Sequence, residues 1–233
     1  MALRTARVPA LGAVPGLVHG FEQRAPREGA ETLAASLSRV AEALEGAGRL
    51  LLLNQVHGAS VVAAPWDGTP EADASVASGA GWLLGIKTAD CLPVLLVDPG
   101  HRLVAAAHAG WRGTAAGVAA RAVEALVTRG SRPEDLLAAL GPGIGPCCYE
   151  VGDELREAFG ASGADFFRPG PNDRPHLDVR AANVRQLLDA GLRPGAIHHV
   201  ADCTRCRADL YPSYRRDGKA AGRMISFVGF ARA

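Results

Sequence analysis

The segment from Lys87 to Gly113, KTADCLPVLLVDPGHRLVAAAHAGWRG, constrains the fold of this chain more than any other. Two runs rich in valine, leucine and alanine, WLLGIKTADCLPVLLVD and LVAAAHAG, flank a Pro-Gly turn and predict buried extended segments. Pro93 lies within the first run and cannot donate a ladder hydrogen bond, so we expect a bulge or an edge position there. Apolar residues at helical spacing follow from Thr114 to Arg129. The sequence therefore predicts a strand, hinge and helix unit centred on HAGWRG.

The rest of the chain alternates between strand and helix patterns. Apolar spacing and a closing glycine predict an amphipathic helix from Glu31 to Gly48, and RLLLLNQVHG and SVVAAP predict strands on either side of a turn at Gly58. Further strands are predicted at DLLAALG, AIHHVAD and MISFVGF, and further helices at GDELREAFG and VRAANVRQLLDAG. The mixture of hairpin-like and crossover-like connections indicates an α+β (mixed α/β) layered fold. Because no linker or long repeat interrupts the pattern, we expect one domain over residues 1–233.

Composition argues against several classes of function. The chain has 25 basic and 24 acidic residues, so it offers no overall field that would attract nucleic acid or a membrane. No apolar run reaches the roughly 18 residues typical of a membrane span. The N-terminal residues, MALRTARVPALGAVPGLVHG, lack the continuous apolar core of a signal peptide, so we expect a cytoplasmic protein. Five cysteines, an odd number in 233 residues, favour free thiols or metal ligands over a disulfide framework.

Three residues with metal-binding side chains stand where apolar strands meet glycine or aspartate. They are His57 in NQVHG, Cys91 in TADCLP and His108 in HAGWRG. A thiolate and two imidazoles suit zinc, and three protein ligands with an open fourth position are typical of a catalytic zinc site. The residues are far apart in the chain, so spacing alone also allows two other interpretations. These are a buried cysteine with hydrogen-bonded histidines, or a nucleophile, Cys91, with His108 as its base.

Two basic segments are candidates for binding an anion. In HAGWRG the glycine hinge exposes backbone N–H groups at a helix start, and Arg112 could add a bidentate contact to phosphate or carboxylate. In YPSYRRDGKAAGR the cations Arg215, Arg216, Lys219 and Arg223 could cover a phosphate or a ribose. The plainer interpretations are a tight turn and a solvated loop. Neither segment is a P-loop or a dinucleotide fingerprint, because neither spacing of glycines occurs.

The remaining cysteines lie in two segments. Cys147 and Cys148 in GPGIGPCCYEVG precede a predicted helix whose N-terminus would favour a thiolate, so Cys148 is a candidate nucleophile with a histidine as base. No base is identifiable, and inert thiols in a loop beneath the site are the preferred interpretation. Cys203 and Cys206 form a lone CxxC motif, CTRC. Because no second CxxC or suitably spaced histidine pair accompanies it, two free thiols are expected rather than a structural zinc site.

Taken in order, NQVHG, TADCLPVLL, HAGWRG, GPGIGPCCYEVG and CTRCRADLYPSYRRDG resemble the motifs of the YfiH-type laccase-domain family. These proteins were formerly called polyphenol oxidases and are now treated as purine nucleoside phosphorylases. The resemblance runs from Val18 to the final strand and implies an α+β fold with layers of helix, sheet, sheet and helix. The loop HGFEQRAPREGA departs from the family pattern in lacking a glycine pair after the arginine, and Cys206 is not part of that pattern.

The resemblance also implies a function. It implies a zinc ion bound by His57, Cys91 and His108, phosphorolysis of adenosine, inosine and methylthioadenosine to the free base and a pentose 1-phosphate, and deamination of adenosine. Asp90 is the candidate proton carrier. The candidate contacts to nucleoside and phosphate are Arg112, Asn54, Gln55, Cys148 and Arg216. We therefore expect small-molecule partners, a nucleoside and phosphate, and a monomer.

Three other functions remain open. A copper-binding polyphenol oxidase could use the same triad, although a full multicopper cluster needs many histidines, often in HxH pairs, and this chain has 7 histidines and no HxH. A cysteine hydrolase could use Cys91 as nucleophile and His108 as base. A non-catalytic protein could bind metal or nucleoside without turnover. Zinc is the expected cofactor, with copper as the alternative.

Overall fold

Two mixed β-sheets lie face to face, and helices cover the outer side of each. The computed structural model describes residues 3–24 and 32–232. The predicted helix start at Glu31 and most of the loop that departs from the family pattern, residues 25–30, lie outside the described residues. The family resemblance of that loop therefore stays a matter of sequence.

Five strands form the first sheet and six form the second. Those of the first are β1 (Arg4–Ala6), β2 (Leu17–Gln23), β3 (Arg49–Leu52), β6 (Trp82–Thr88) and β13 (Met224–Phe230). Those of the second are β4 (Val61–Ala63), β5 (Ala74–Ser78), β7 (Leu92–Asp98), β8 (Leu103–Ala109), β9 (Leu137–Leu140) and β12 (Ile197–His199). The spatial orders are β1-β2-β13-β6-β3 and β12-β9-β7-β8-β5-β4. A separate antiparallel pair consists of β10 (Phe167–Pro169) and β11 (Pro175–Leu177).

Seven α-helices occur within residues 3–24 and 32–232. They are α1 (Pro9–Gly12), α2 (Leu33–Ala43), α3 (Trp111–Ala115), α4 (Val118–Val127), α5 (Glu154–Phe159), α6 (Val179–Asp189) and α7 (Tyr214–Asp217). The Thr32 hydroxyl caps α2 by accepting the Ala35 N–H, and the Asp178 carboxylate caps α6 by accepting the Ala181 N–H. None of the helices in this part of the chain is long and apolar enough to cross a membrane.

Successive side chains of a strand point to opposite faces of its sheet, so each sheet packs against helices on one face and against the other sheet on the other face. In β7, Val94 and Leu96 belong to the core shared with α4 and α6, whereas Leu95 belongs to the core between the sheets. On the opposite side of the molecule, Val40 of α2 packs in a third core on the outer face of the first sheet. The layers are therefore helix, sheet, sheet and helix, and the predicted α+β fold is confirmed.

The segment predicted as one long extended run is two strands in different sheets. β6 belongs to the first sheet and β7 to the second, and the chain turns between them at Asp90, whose φ is 85°. Pro93 lies in an interior strand in unbroken register with β8, so the predicted edge position or bulge is wrong. Its carbonyl accepts the Gly141 N–H (2.9 Å) just beyond the end of β9. Pro93 therefore lacks its N–H at the position where the hydrogen bonding between β7 and β9 ends.

The predicted helix from Thr114 to Arg129 is two helices. α3 begins already at Trp111, and Gly117, with a φ of 78°, separates it from α4. Glycine adopts positive φ at little steric cost, so the chain changes direction there. The predicted strands on either side of Gly58 are present as β3 and β4, but they belong to different sheets. The loop between them, which carries the NQVHG motif, therefore crosses from one sheet to the other.

The buried His19 on β2 produces a pH dependence of stability. Its Nε2 accepts the Val8 N–H (3.1 Å), and burial, together with the charge of Arg7, lowers its pKa from 6.5 to about 4. The folded state keeps the ring neutral, whereas the unfolded chain takes up a proton below pH 6.5. Acidification through this window is therefore expected to remove roughly 2 kcal/mol of the free energy of unfolding through His19. Urea unfolding at pH 6.5 and at about pH 4 measures the loss of free energy of unfolding.

The control for this prediction is His19→Gln. The glutamine amide oxygen can accept the same Val8 N–H but does not titrate in this range. The variant is expected to lose about 2 kcal/mol less than the wild-type protein on acidification. Equal losses in the two proteins would contradict the prediction.

Candidate functional site

His57, Cys91 and His108 converge at one point of the molecule. His108 lies near the end of β8, and Cys91 directly precedes β7, the neighbouring strand. The loop between β3 and β4 brings in His57. The three ligand atoms all lie within 4.8 Å of one another, and the two imidazole rings meet edge to face with centroids 4.8 Å apart. The structure thus brings together the three residues that the sequence offered as a metal triad.

A buried carboxylate, Asp73, holds two of these residues in place. It directly precedes β5 and lies beside His108 across the ladder between β5 and β8. Its Oδ1 lies 2.7 Å from His108 Nδ1 and accepts the His57 N–H (2.9 Å), while Oδ2 accepts the Gly58 N–H (2.6 Å). When His108 donates its Nδ1–H to Asp73, Nε2 is left as the ligand atom. The contact therefore selects both the tautomer and the orientation of this ring.

Mutual hydrogen bonding changes the protonation of the triad. Burial acts to raise the pKa of the Cys91 thiol, but hydrogen bonds with His108 and His57 outweigh it and lower that pKa to about 6. Burial acts to lower the pKa of His108, but Asp73 and Cys91 outweigh it and raise that pKa to about 9. The site thus favours a thiolate beside a positive charge. A divalent metal can replace the proton that His108 shares with Cys91, because it also supplies positive charge beside the thiolate.

Gly110 in HAGWRG lets the backbone pass close to the triad. A Cβ at this position would lie 3.0 Å from Cys91 Sγ and 3.2 Å from His57 Cδ2. A Cβ on Gly113 would lie 2.9 Å from the Gly58 carbonyl oxygen, on the loop that carries His57. Both glycines are therefore required by the close approach of this hinge to the site.

A cavity of about 510 Å³ opens beside the triad. Its volume is in the range of pockets that bind small molecules, roughly 300–1,000 Å³. Its wall carries three cations and three aromatic side chains: Lys87, Arg215, Arg223, Trp111, Tyr149 and Tyr214. Burial, with the charge of Arg223 nearby, lowers the pKa of Lys87. The cavity therefore suits a ligand that combines an aromatic ring with negative charge.

Asp90, the candidate proton carrier, lines the cavity and is anchored at both carboxylate oxygens. Oδ1 accepts a hydrogen bond from the Thr204 hydroxyl (2.6 Å), and Oδ2 accepts the Arg215 main-chain N–H (2.6 Å). Asp90 and His57 both have positive φ, 85° and 62°. A non-glycine residue pays about 1–3 kcal/mol for such a backbone, and these residues cluster at functional sites. The role of Asp90 in proton transfer stays a prediction.

Asn54 and Gln55 also line the cavity, with their amides already engaged in hydrogen bonds. The Gln55 amide donates to the Lys87 carbonyl (2.8 Å) and accepts the Lys87 N–H (2.9 Å), so it holds the end of β6 in place. Asn54 Nδ2 donates to Glu71 Oε1 (3.3 Å). Their contacts to a nucleoside or phosphate stay predictions.

Arg112 and Cys148 lie elsewhere, outside the set of described residues that line the cavity. Arg112 is exposed, and its guanidinium carbon lies 4.2 Å from the centre of the Trp111 ring, on which it stacks. Cys148 lies in a cluster with Cys147, Cys203 and Cys206. Contacts of these two side chains to a nucleoside or phosphate therefore stay predictions.

Arg216 has a structural position, and its neighbour Arg215 takes the place at the cavity. The Arg216 guanidinium donates to the Thr204 carbonyl (3.0 Å) and forms an ion pair with Asp217 (2.8 Å). Arg215 lines the cavity, whereas Arg216 is outside the set of described residues that line it. The predicted basic segment thus contributes Arg215 and Arg223 to the cavity wall, and a contact of Arg216 to the substrate stays a prediction.

Sequence reasoning missed three residues of the site. The sequence carries one signal for Asp73, which stands directly before an apolar run. The triad residues also lie where apolar strands meet glycine or aspartate. Lys87 stands at the end of an apolar run where a solvated cation is equally expected, and Tyr149 follows the cysteine pair. Burial and the charge of Cys91 raise the pKa of Tyr149 to about 12. No local pattern places the last two residues beside the triad.

Comparison with known proteins shows the family of the chain. The profile of a family described as "Multi-copper polyphenol oxidoreductase laccase" matches residues 24–231. The chain belongs to this family. The resemblance to laccase-domain proteins that the motifs indicated is thereby confirmed.

Relatives of this laccase-domain chain carry the names of nucleoside enzymes. The purine nucleoside phosphorylase of Deinococcus radiodurans is 44% identical over 180 residues, which cover 77% of this chain and 70% of that protein. Purine nucleoside phosphorylase YlmD of Geobacillus stearothermophilus is 35% identical over 97% of this chain and 93% of the relative. Adenosine deaminase RL5, from an unknown prokaryotic organism, is 38% identical over 69% of this chain and 62% of that protein.

The laccase-domain fold is also shared with a solved structure. The crystal structure of YlmD from Geobacillus stearothermophilus superposes with a TM-score of 0.86 at 30% identity. The superposition covers 100% of this chain and 97% of that one. The four-layer arrangement is therefore that of the YfiH and YlmD proteins.

Proposed function

We propose that this laccase-domain protein is a zinc-dependent purine nucleoside enzyme. It converts adenosine, inosine and methylthioadenosine with phosphate into the free base and a pentose 1-phosphate, and it deaminates adenosine. The observation that carries the proposal is the convergence of His57, Cys91 and His108 on the wall of a cavity that also holds three cations. The names of the relatives, purine nucleoside phosphorylase and adenosine deaminase, support the same reaction class.

The triad fits zinc by its donor chemistry. One thiolate and two imidazoles are donors that zinc accepts, and ligand atoms within 4.8 Å of one another can be bridged by one tetrahedral ion. Asp73 supplies the carboxylate that commonly orients a zinc-binding histidine. Three protein ligands leave a fourth position for a substrate or water. Zinc bound here would supply a Lewis acid at the cavity wall, able to activate water or polarise a substrate atom.

The residues around the triad would bind and orient the substrates. In phosphorolysis the phosphate must lie beside the ribose, and the cavity offers three cations for it: Lys87, Arg215 and Arg223. The rings of Trp111 and Tyr149 provide apolar faces for the purine. Asp90 lies on the same wall and is held in one orientation, so it is our candidate to accept or return a proton during either reaction.

Product analysis tests the proposal. Purified protein incubated with inosine is expected to release hypoxanthine and ribose 1-phosphate only when phosphate is present. Adenosine without phosphate is expected to yield inosine. A zinc chelator should abolish both reactions, and added zinc should restore them. Absence of free base and of inosine under all these conditions would refute the assignment.

Replacing Arg215 with alanine is expected to raise the KM for phosphate by roughly ten- to a hundredfold. The reason is that a hydrogen bond to a charged group contributes about 1.5–3 kcal/mol. The alanine keeps the main-chain N–H that binds Asp90, so that anchor is retained. Steady-state kinetics at saturating inosine and varied phosphate measure the change.

Arg112→Ala is the matched control for this variant. Arg112 stacks on Trp111 outside the cavity, so its removal is expected to change the phosphate KM by less than about twofold. Both variants lose one exposed arginine, which keeps the change in net charge equal. A larger effect of Arg112→Ala than of Arg215→Ala would show that phosphate binds at the hinge instead.

Copper is an alternative metal at the same triad, and the family description favours it as a second candidate. Thiolate and imidazole ligands also bind copper, and a copper-loaded protein would oxidise phenols. Metal analysis of protein expressed without added copper separates the two. Zinc alone supports the nucleoside enzyme, whereas stoichiometric copper with phenol oxidation would favour the oxidase.

A cysteine hydrolase is favoured by the protonation of the same residues. The lowered pKa of Cys91 and the contact of His108 with Asp73 match the nucleophile, base and orienting carboxylate of such enzymes. That chemistry leaves His57, the third converging side chain, without a role. Alkylation by iodoacetamide distinguishes a cysteine hydrolase from a zinc site. Rapid labelling of Cys91 in zinc-loaded protein would favour the hydrolase, and protection by zinc supports the metal site.

A further inference from the structure

Four cysteines that are distant in the sequence meet outside the cavity. Cys147 and Cys148 follow β9, and Cys203 and Cys206 follow β12. β9 and β12 are parallel neighbours, so the segments after their carboxyl ends leave the sheet at the same edge. All four Sγ atoms lie within 4.8 Å of one another. None of the five cysteines, all of which the structure describes, forms a disulfide.

The spacing of the sulfur atoms suits a tetrahedral ion. Four thiolates at about 2.3 Å from a zinc ion are about 3.8 Å from one another. Cys206 Sγ lies 3.8 Å from Cys147 Sγ and 3.4 Å from Cys148 Sγ. Small side-chain rotations therefore suffice to place the four sulfurs around one centre. Tetrahedral sulfur ligation is typical of zinc or of iron–sulfur sites, and the CxxC spacing of Cys203 and Cys206 is common in structural zinc sites.

Two hydrogen-bond donors lie against the sulfurs of the cluster. Cys203 Sγ accepts the Gly145 main-chain N–H (3.3 Å), and Arg205 Nη1 lies 3.5 Å from Cys148 Sγ. Donors of this kind offset the negative charge of a tetrathiolate centre. A single disulfide would use two of the sulfurs and leave two unpaired, whereas Cys206 faces both Cys147 and Cys148 at similar distances. One central ion engages all four.

We propose that Cys147, Cys148, Cys203 and Cys206 bind a second zinc ion, which is structural. The ion joins the loop after β9 to the turn after β12. Both segments support the cavity: Thr204 donates its hydroxyl to Asp90 (2.6 Å), and the Ile144 N–H donates to the Asp90 carbonyl (2.8 Å). Tyr149, next to Cys148, lines the cavity. The second zinc thus holds in place the two segments that position Asp90 and Tyr149. The proposal does not depend on the reaction at the triad.

Metal stoichiometry tests the proposal with two reciprocal variants. Wild-type protein, purified without a metal-affinity tag, is expected to contain two zinc ions per chain. The triad variant H57N/C91A is expected to keep one, bound by the four cysteines. The cysteine variant C203S/C206S is expected to keep the other, bound by the triad. Each variant is therefore the control for the other.

The triad variant decides the matter even if the cysteine variant fails to fold. Cobalt(II) in this variant is expected to produce the intense sulfur-to-metal absorption of a tetrathiolate, and removal of its zinc should lower Tm by roughly 10 °C. A triad variant without zinc, or with iron in its place, would overturn the proposal. So would an intact mass lower by two hydrogen atoms, since that result shows a disulfide among the four cysteines.

Discussion

His57→Asn is expected to remove the zinc of the triad and to lower kcat/KM for inosine phosphorolysis by roughly a thousandfold. Metal-ion stabilisation of transition-state charge contributes several kcal/mol, and each 1.36 kcal/mol corresponds to about a factor of ten in rate. Asparagine tolerates the positive φ of this position better than most residues, so the backbone turn should be kept. Zinc analysis and steady-state kinetics measure the two effects.

His199→Ala is the matched control, because His199 is also an exposed histidine but lies on β12, away from the cavity. Its zinc content and kcat/KM are expected to stay at wild-type values. Thermal unfolding of both variants in the presence of a chelator should agree within a few degrees, since neither histidine is buried. Full activity of His57→Asn with its zinc retained would remove His57 from the metal site.

Asp73→Asn is expected to weaken both the fold and the metal site. The carboxylate accepts the N–H groups of His57 and Gly58 and contacts His108, and an amide nitrogen at either oxygen position would face a donor. Breaking a buried charged pair costs about 3–5 kcal/mol, so we expect a loss of roughly 3 kcal/mol in the free energy of unfolding. Zinc affinity should fall by about 10–100-fold, as for other carboxylates that orient a zinc-binding histidine.

Urea unfolding and competition with a chelator measure the effects of Asp73→Asn. Asp67→Asn is the control, since the Asp67 side chain is 99% exposed and pairs with Arg49 at the surface. That change is expected to alter stability by less than about 0.5 kcal/mol and to leave zinc affinity unchanged. If Asp73→Asn behaves like Asp67→Asn, the carboxylate has no part in organising the site.

Local patterns predicted most of the strands and helices. The apolar runs at β7, β8 and β13 and the helical spacing of α2 and α6 are strong periodic signals, and the structure has these elements where they were expected. Among the predicted elements the exceptions are breaks, whereas five strands had no prediction: β1, β2, β5, β10 and β11. The turn at Asp90 and the break at Gly117 depend on a single φ angle each, 85° and 78°, and a single angle leaves no periodic trace in the sequence.

The cysteines show a different gap in sequence reasoning. The motif CTRC has no second pair with zinc spacing before or after it, so the sequence alone predicts two free thiols there. The second pair, Cys147 and Cys148, is adjacent and lies far upstream. Only the parallel pairing of β9 with β12 places the two segments at one edge of the sheet. Parallel strands are joined by long crossovers, so such contacts carry no fixed spacing.

The sequence by itself determined the kinds of secondary structure and the faces of the elements that are buried. Through its motifs it also determined the family of the chain and the candidate metal triad of His57, Cys91 and His108. Side-chain period and glycine positions are local properties, and both can be read along the chain. Only the tertiary structure decided the partners of those residues. It placed Asp73 behind His108, Arg215 rather than Arg112 or Arg216 at the cavity, and the four cysteines together. The physical reason is that period defines the face of a strand but not which strand lies beside it.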